Sequence, residues 1–425
     1  MLVAARQRFC AYIGISRSRR ALFSTLPTDW LVHPELAPHL HHSVPSLDRP
    51  DSYFGLTFLG TSAGASTIDR GNTATVLKGE GFAYLVDAGE ATQLQFMQSH
   101  LKMGDLRKVL VTHLHGDHVF GVLGLLLQLQ HTPGYRGIEV YGPVGLYNFL
   151  AANYVLSGSS VSNIQVFELY NETRRYPPTV FQRAFTHRGI RRRTLPMNPD
   201  GTWTLEEANE IASEEDAILR SSKPSGLYVY AAEVDHVPQQ QTLGYVFAEP
   251  TTLPLTLDIE KARDLGVTGA STAKYKLLKS GYSVQSDDGW REVQPEEVTR
   301  RTSHPRRVAI LGDCCRVPQP MRRLCRGADV LVHEATFLES ERKGRTEHVG
   351  HSSAAMAGRV AREVEARTLF LNHLGLRQIF SDELQLTYDE AVEQAGDTKV
   401  QLAYDFMELQ IPRVGFGKKN EQQSS

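Results

Sequence analysis

Four side chains able to bind a metal ion lie within six consecutive residues: His113, His115, Asp117 and His118. An apolar run at 109–111 leads into them, which predicts a buried strand whose end presents all four to one cavity. A catalytic zinc ion usually takes three protein ligands and keeps one position for water. Four candidates exceed that number, so the segment predicts two adjacent metal ions.

Three further candidate ligands follow other short apolar runs: His236, Asp313 and His373. Each of the two metal positions needs a ligand from outside the first segment, and any of the three could supply it. A carboxylate can bridge two cations, which makes Asp313 the natural link. Imidazole and carboxylate ligands suit zinc, manganese and iron, and zinc is the default choice.

Two adjacent metal ions lower the pKa of a water molecule between them and neutralise an attacked phosphodiester, so the ligand set indicates hydrolysis. Asp117 is a candidate to hold the water and accept its proton, and His351 paired with Glu334 is the candidate proton donor to the departing oxygen. Asp87 and Glu90 flank another turn and either orient metal-binding histidines or cap a helix. We favour the orienting role for Asp87.

From residue 51 onward, short apolar runs alternate with helical segments, which predicts an α/β architecture. The predicted strands are 55–59, 84–86, 109–111, 138–141, 308–311, 330–332 and 369–371, and the clearest predicted helices are 121–131 and 354–364. Several strands end in a residue that could bind metal or transfer a proton. This repetition predicts a shared rim on which the site is built.

Composition limits the class of protein. A chain of 425 residues with 41% hydrophobic content can form one large domain or two ordinary ones. With 46 basic and 48 acidic residues, any nucleic-acid binding must come from a local patch. The four cysteines lack zinc-type spacing and argue for a reducing compartment. No apolar run approaches the roughly 18 to 20 residues of a membrane-spanning helix, so no membrane association is expected.

The chain divides into regions of different composition. Residues 1–28 are rich in arginine and serine and lack acids, which predicts a mitochondrial transit peptide; a basic tail on a cytosolic or nuclear protein is the alternative. Residues 29–51 read as a linker whose His39, His41 and His42 follow no apolar run and bind no metal. Residues 52–413 form the catalytic domain, and 414–425 a disordered tail.

Within that domain, residues 171–226 are predicted to be a surface insertion with one short helix, because they are Arg-rich and then acidic, with several prolines. The run Arg191, Arg192 and Arg193 is interpreted as a solvated loop, with contact to RNA as the alternative.

The six-residue metal segment resembles the metallo-β-lactamase superfamily. Between about 51 and 412, further segments resemble its ribonuclease Z branch, in the short form: 58–61 (Phe-Leu-Gly-Thr), 86–93 (Val-Asp-Ala-Gly-Glu-Ala-Thr-Gln), 310–313 (Ile-Leu-Gly-Asp), 333–336 (His-Glu-Ala-Thr) and 350–353 (Gly-His-Ser-Ser). The metal segment is general to the superfamily, whereas His-Glu-Ala-Thr together with Gly-His-Ser is specific for the ribonuclease Z branch.

This resemblance implies a four-layer αβ/βα sandwich and two zinc ions per subunit, with manganese as a possible substitute. One zinc ion would take His113, His115 and His236, the other Asp117, His118 and His373, with Asp313 bridging. Asp117 matches the family's proton acceptor, and His351 with Glu334 its proton-donating pair. The implied reaction removes the 3' trailer from precursor tRNA and leaves a 3'-hydroxyl. A homodimer is also implied, in which an arm at 250–285 grips tRNA bound to the partner.

The chain departs from the family pattern in three places. The loop at 66–71 keeps Arg70 but lacks the family's proline and lysine, and the arm segment 266–271 has no proline, although Lys274, Lys276 and Lys279 offer phosphate contacts. Around His373, the family's Thr-His-Phe-Ser is Asn-His-Leu-Gly here. Two alternatives follow: a metallo-hydrolase of small phosphodiesters or esters, and a non-enzymatic RNA-binding relic, against which the intact ligand set argues.

Overall fold

Two β-sheets stacked face to face form the centre of the protein, and helices cover the outer face of each. The computed structural model describes residues 54–176, 185–206, 226–250, 256–268, 272–279, 281–300, 304–344, 350–380 and 383–413. The predicted transit peptide, linker and C-terminal tail lie outside these ranges. Among the helices described, none combines the length and the apolar character that crossing a bilayer requires.

The strands of the described residues are, in chain order, β1 (Gly55–Gly60), β2 (Ala74–Gly79), β3 (Phe82–Val86), β4 (Leu106–Leu110), β5 (Ile138–Pro143), β6 (Ile164–Tyr170), β7 (Ile190–Pro196), β8 (Thr202–Glu206), β9 (Tyr228–Val234), β10 (Thr242–Ala248), β11 (Thr256–Leu257), β12 (Val284–Gln285), β13 (Glu292–Val293), β14 (Thr299–Arg300), β15 (Arg307–Leu311), β16 (Val330–Ala335), β17 (Thr368–Leu374), β18 (Lys399–Leu402) and β19 (Glu408–Gln410). The first sheet has the order β19-β1-β2-β3-β4-β5-β6-β7, and the second β18-β17-β16-β15-β10-β9-β8.

The helices are α1 (Thr92–Gln98), α2 (Gly116–Gln130), α3 (Leu146–Ser157), α4 (Ile259–Asp264), α5 (Thr272–Lys279), α6 (Pro295–Val298), α7 (Gln319–Cys325), α8 (Glu339–Gly344), α9 (Ala354–Glu363), α10 (Leu376–Phe380) and α11 (Glu383–Ala395), with a 3-10 turn at Met103–Asp105. Ser353 caps α9, its hydroxyl accepting a hydrogen bond from the Met356 backbone N–H.

Three apolar layers hold the sandwich together, and they confirm the four-layer αβ/βα prediction. Phe58, Tyr245 and Phe370 belong to the layer between the two sheets. Helices α1 to α3 pack on the outer face of the first sheet, and α7, α9 and α11 on that of the second. At the apolar end of β4, Leu110 faces the inter-sheet layer while Val109 faces the helices, so both faces of the strand are buried there.

All seven predicted strands are present, but three boundaries differ in ways that matter for the site. Helix α2 begins at Gly116 rather than at residue 121, so Asp117 and His118 lie on its first turn. Strands β16 and β17 extend further than predicted, so Glu334 and His373 lie within strands rather than after them. The apolar runs predicted too short a range for both strands, because the last part of each strand contains polar residues.

The prediction of a surface insertion with one short helix at 171–226 is wrong for the residues described there. β7 pairs in parallel with β6 at one edge of the first sheet, and β8 pairs with β9 at one edge of the second. Trp203 in β8 is buried, and its indole N–H donates to the Leu195 carbonyl in β7, which ties the two edges together. Nor are the arginines a solvated loop, because they lie in β7 and Arg192 pairs with buried Glu168.

The predicted arm at 250–285 is a longer unit that ends near residue 300. β11 pairs with β14 and β12 with β13, and these strands enclose α4, α5 and α6. The unit has an apolar cluster of its own that includes Val267, Leu278 and Val293. In the chain it stands between β10 and β15, which are hydrogen-bonded neighbours in the second sheet. The arm is therefore an insertion between two adjacent strands, and their pairing is intact.

A buried ion cluster joins the two sheets away from the metal-binding segment. The ammonium group of Lys108 in β4 pairs with Glu139 in β5, and it lies 3.4 Å from a carboxylate oxygen of Glu206 in β8. The hydroxyl groups of Tyr84 and Tyr141 donate to the two carboxylates. Burial alone would lower the pKa of Lys108, but the neighbouring acids raise it above its usual value, so the cation stays charged in the core.

Lys108→Met should lower the free energy of unfolding by about 3–5 kcal/mol, since removing one partner leaves buried carboxylates uncompensated. Urea denaturation measures the change. The matched control is Arg322→Ala, which breaks the exposed pair with Glu363 and should cost at most about 1 kcal/mol. Equal losses in the two variants would mean that the cluster does not stabilise the packing of the sheets.

Candidate metal centre

The segment between β4 and α2 places four of the candidate ligands. His113 is fully buried directly beyond the strand, His115 precedes the helix, and Asp117 and His118 occupy its first turn. The helix can begin there because Gly121 lets α2 approach the loop at 88–89: a Cβ at Gly121 would lie 1.8 Å from the Gly89 carbonyl oxygen. A side chain at position 121 would therefore displace this turn of the helix.

Three other elements bring the remaining candidates to the same place. His236 follows β9, Asp313 follows β15, and His373 lies in β17. His115 Nδ1 lies 2.9 Å from His113 Nε2 and 3.3 Å from His236 Nε2. His373 Nε2 lies 3.2 Å from both His118 Nε2 and Asp117 Oδ2. The structure thus gathers all seven predicted ligand side chains.

The seven side chains form two adjacent groups of donor atoms. His113, His115, His236 and Asp313 make one group, and Asp117, His118 and His373 the other; within each, the donor atoms lie within 4.8 Å of one another. Asp313 Oδ2 lies 3.6 Å from His113 Nε2 in the first group and 3.3 Å from His118 Nε2 in the second. This position, between the groups, is the one expected of a bridging carboxylate.

The hydrogen bonds around the imidazoles fit metal binding. The Nδ1 atoms of four rings each face an oxygen outside the groups, which leaves Nε2 directed inward with its lone pair: His113 faces Thr112 Oγ1, His118 faces Asp87 Oδ2, His236 faces the Gly350 carbonyl and His373 faces Thr336 Oγ1. Such outer partners fix the tautomer of a metal-binding histidine. Burial also lowers the pKa values of His113 and His236, and the neutral ring is the form that binds a cation.

Asp87 has the orienting role favoured from the sequence. Its Oδ1 accepts the Thr112 backbone N–H at 2.7 Å, and its Oδ2 accepts both the Thr112 hydroxyl and His118 Nδ1. One carboxylate therefore holds two neighbours of the metal segment at once. Glu90 is exposed, and the N-cap residue of α1 is Ala91, with no side-chain hydrogen bond to the helix, so the helix-capping alternative does not apply to either acid.

Besides Thr112, sequence reasoning missed two of the outer partners. Thr336 receives the hydrogen bond from His373 and donates its own proton to Glu334 Oε2 at 2.5 Å. The Gly350 carbonyl accepts from His236 Nδ1 at 2.6 Å, and its φ of 71° with a close approach to that ring requires glycine. Their signal lay in the His-Glu-Ala-Thr and Gly-His-Ser segments, which supplied a resemblance but no contact.

His351 and Glu334 form the pair expected from the sequence. His351 Nδ1 lies 3.0 Å from Glu334 Oε1, and the same oxygen accepts the Cys314 backbone N–H. The His351 ring centroid lies 4.9 Å from that of His236 and 5.5 Å from that of His373, so it faces both groups. Burial alone would lower the pKa of His351, but the charge and hydrogen bond of Glu334 raise it to about 9. Glu334 therefore favours the protonated form of the ring.

Two site residues adopt strained backbone conformations. Asp87 has φ 59° and His373 φ 50°, in the left-handed region that non-glycine residues rarely occupy. His373 is also the extra residue of a β-bulge, because Glu334 pairs with Asn372 while Ala335 pairs with Leu374. A bulge re-aims one side chain without ending the strand, which explains how His373 reaches the site from inside β17.

Two family models match parts of the chain. Residues 54–187 match the model described as anti-Pycsar protein Apyc1, and residues 297–374 match the β-lactamase superfamily domain. Together they cover the segments that carry six of the seven candidate ligands; His236 lies between them.

Curated relatives match most of the chain. The human zinc phosphodiesterase ELAC protein 1 is 33% identical over 371 residues, 84% of this chain and 98% of the relative. Ribonuclease Z of Bacillus licheniformis is 32% identical over 84% of this chain and 99% of the relative. Among solved structures, the short form of human tRNase Z superposes with a TM-score of 0.54 at 27% identity, over 84% of this chain and 99% of that one.

Proposed function

The chain belongs to the ribonuclease Z family, and from that premise we propose that it is a zinc-dependent endoribonuclease that removes the 3' trailer from precursor tRNA. The observation that carries the proposal is the meeting of seven potential metal ligands beside a histidine that is held by a carboxylate. Hydrolysis of a phosphodiester needs both an activated water and a proton for the departing oxygen.

We propose two zinc ions per subunit, with manganese as a possible substitute. The first group of ligands would hold one ion and the second group the other, with Asp313 shared. When bound, the ions would activate a water molecule and neutralise charge on the attacked phosphate. The seven side chains provide two sets of nitrogen and oxygen donors, which suit zinc.

Asp117 is the proposed proton acceptor. Its Oδ2 accepts a hydrogen bond from the Gly64 backbone N–H at 2.8 Å, so the carboxylate has one orientation. Burial alone would raise the pKa of Asp117, but His373 and His118 hold it below its usual range, so the carboxylate is ionised and can accept a hydrogen bond from the attacking water. As that water attacks phosphorus, its proton passes to Asp117.

His351 is the proposed proton donor. The bond between phosphorus and the 3' oxygen of the tRNA breaks, and the proton on His351 passes to that oxygen, leaving a 3'-hydroxyl on the tRNA and a 5'-phosphate on the trailer. Glu334 keeps the ring charged beforehand and oriented during the transfer. His351 needs no metal contact for this role.

His351→Ala should lower kcat for precursor tRNA by about a hundredfold or more, the usual contribution of a general acid. The loss should be much smaller on bis(p-nitrophenyl) phosphate, because p-nitrophenolate departs without a proton. Steady-state kinetics on both substrates, with zinc content measured alongside, test the role. Equal losses on the two substrates would show that His351 does not act as the acid.

The proposed function itself is tested with a precursor tRNA carrying a 3' trailer. The purified chain with zinc should yield mature-length tRNA ending in a 3'-hydroxyl, and chelator treatment should abolish the reaction. Residues 256–300 contain seven basic and eight acidic residues, so phosphate contacts of the arm must be local, at exposed Lys276 and Lys279 on α5. Hydrolysis of small phosphodiesters without trailer release would instead identify a metallo-hydrolase of small substrates.

We also propose a homodimer and a mitochondrial location. Leu94 and Met97 on α1 and Phe120 on α2 are exposed apolar side chains on neighbouring helices, as expected of a surface that another subunit covers. Sedimentation of the wild type and of Leu94→Glu tests the dimer, and a monomeric wild type would refute it.

Fusion of residues 1–28 to a fluorescent protein tests the mitochondrial location, which cytosolic fluorescence would contradict.

A further inference from the structure

The loop between β1 and β2 donates a hydrogen bond to Asp117. The Gly64 backbone N–H donates to Asp117 Oδ2 at 2.8 Å, and that same oxygen lies 3.2 Å from His373 Nε2. A shift of this loop would remove a hydrogen bond from the proposed proton acceptor. The position of residues 61–72 therefore bears directly on the proposed hydrolysis.

Much of this loop faces solvent and needs anchors to keep its place. Gly64, Ala65 and Ser66 are exposed, and Ile68 is exposed completely. The base of the loop is closed by backbone hydrogen bonds from Thr61 and Ser62 to the Gly71 carbonyl. These bonds hold the two sides of the loop to each other, and the Ala63 N–H, which donates to the Leu374 carbonyl, joins the first side to β17.

Asp405 supplies an anchor from the far end of the chain. Its Oδ1 accepts the Thr61 hydroxyl at 2.7 Å, and its Oδ2 accepts the Gly71 backbone N–H at 2.6 Å and the Gln95 side-chain amide at 3.0 Å. One carboxylate thus binds both sides of the loop base and joins them to α1. Arg70 reinforces the same point, because its guanidinium donates to Thr61 Oγ1 and to the Ala403 carbonyl.

Asp405 is buried in a turn that contains a strained residue. It lies in the turn between β18 and β19, where the Met407 N–H bonds to the Tyr404 carbonyl and Phe406 adopts φ 63°. A non-glycine residue in that conformation is strained by about 1 kcal/mol or more. Burial removes part of the solvation of the carboxylate, which raises the pKa of Asp405 to about 6. Such a buried, strained turn persists only where surrounding contacts compensate for it.

We propose that Asp405 is a positioning residue for the reaction: it clamps the base of loop 61–72 so that the Gly64 N–H keeps the Asp117 carboxylate aimed at the attacking water. The inference rests on the proposed function for its chemistry. Its geometry stands on hydrogen bonds that involve none of the seven metal ligands except Asp117.

The test compares Asp405→Ala and Asp405→Asn with Glu249→Gln. Glu249 is a fair control, because it too is a buried carboxylate bonded to several donors, from Arg306 and Arg413, but it lies where β10 ends, beside the start of β15. Glu249 therefore lies at the end of these strands that is opposite to the metal centre. Bis(p-nitrophenyl) phosphate hydrolysis and hydrogen exchange of the 61–72 peptide are measured at full zinc content.

In Asp405→Ala, kcat should fall by up to about a hundredfold, the scale of a small misplacement of a reacting group. KM should stay unchanged, and the loop amides should exchange faster than in the wild type. Asp405→Asn keeps the side-chain volume and part of the bonding, so it should recover much of kcat. Glu249→Gln should leave both kcat and loop exchange unchanged even where it lowers the melting temperature.

Unchanged loop exchange in Asp405→Ala, or a kcat no lower than that of Glu249→Gln, would overturn the proposal. If Asp405→Ala does not fold, Thr61→Val removes one of the same hydrogen bonds at constant shape, and it must then show a smaller loss of kcat with faster exchange. Wild type that hydrolyses the small diester but leaves the tRNA trailer uncut would refute the proposed function alone. A wild-type protein that is inactive on both substrates would refute the proposed function. Hydrogen exchange of residues 61–72 in Asp405→Ala would then decide whether Asp405 holds the loop.

Discussion

Asp117→Asn should lower kcat for precursor tRNA by about a thousandfold, within the range that a lost general base costs. The amide keeps the shape of the carboxylate, yet it cannot take a proton from the attacking water. Bound zinc should stay near the wild-type amount in this variant, because the amide oxygen leaves a donor atom in place beside the six other ligand side chains. Asp117→Ala should lose the same activity and some of the metal as well, since it removes a donor from the second group.

The matched control is Asp235→Asn, which changes a carboxylate that neighbours His236 but pairs with Arg316 at the surface. It should keep kcat close to that of the wild type. Single-turnover cleavage of precursor tRNA, with zinc content determined on the same samples, makes the measurement. An Asp117→Asn enzyme that is fully loaded with zinc and cuts within a few-fold of the wild-type rate would rule out Asp117 as the proton acceptor.

Asp313→Ala should cost the protein both metal and activity. Asp313 Oδ2 lies 3.4 Å from His373 Nε2 and within 3.6 Å of His113 and His118, so its loss weakens both groups of ligands together. It would also leave several closely spaced imidazole rings without the carboxylate that balances the charge of a bound cation. Zinc content should fall below that of any variant of the outer hydrogen-bond partners, and trailer cleavage should become undetectable.

Thr336→Val provides the comparison, because it keeps all seven ligand side chains and removes the hydrogen bonds that join Thr336 to His373 and to Glu334. Such an outer partner is worth about 10- to 100-fold in metal affinity. Glu90→Gln, which alters an exposed carboxylate on the turn after Asp87, should change nothing. Zinc titration of the three metal-stripped variants ranks them. A wild-type affinity in Asp313→Ala would contradict a bridging position.

Much of this site was predictable because its chemistry is local in the sequence. His113, His115, Asp117 and His118 stand close together after an apolar run, and the short spacing itself implied two metal positions. The α/β architecture followed from the alternation of strands and helices. The four-layer arrangement and the assignment of His236, Asp313 and His373 came from resemblance, because ligands far apart in a chain carry no spacing signal of their own.

Other features depended on contacts that no local pattern contains. Residues 190–206 were misread because edge strands with arginines and a proline lack the apolar runs of central strands. The arm continued beyond its predicted end because its last strand, β14, pairs back with its first, β11. The roles of Thr336 and Asp405 arise from side chains that meet only after the sheets have stacked.

The amino-acid sequence by itself determined which atoms can bind metal and which pair can transfer protons, since these are properties of residue types and close spacing. Only the tertiary structure decided where those atoms point. A bulge turns His373 inward, a glycine carbonyl orients His236, and a carboxylate near the C-terminus holds the loop over Asp117. Orientation depends on hydrogen bonds across more than a hundred residues of chain, and such bonds form only once the fold has brought their partners together.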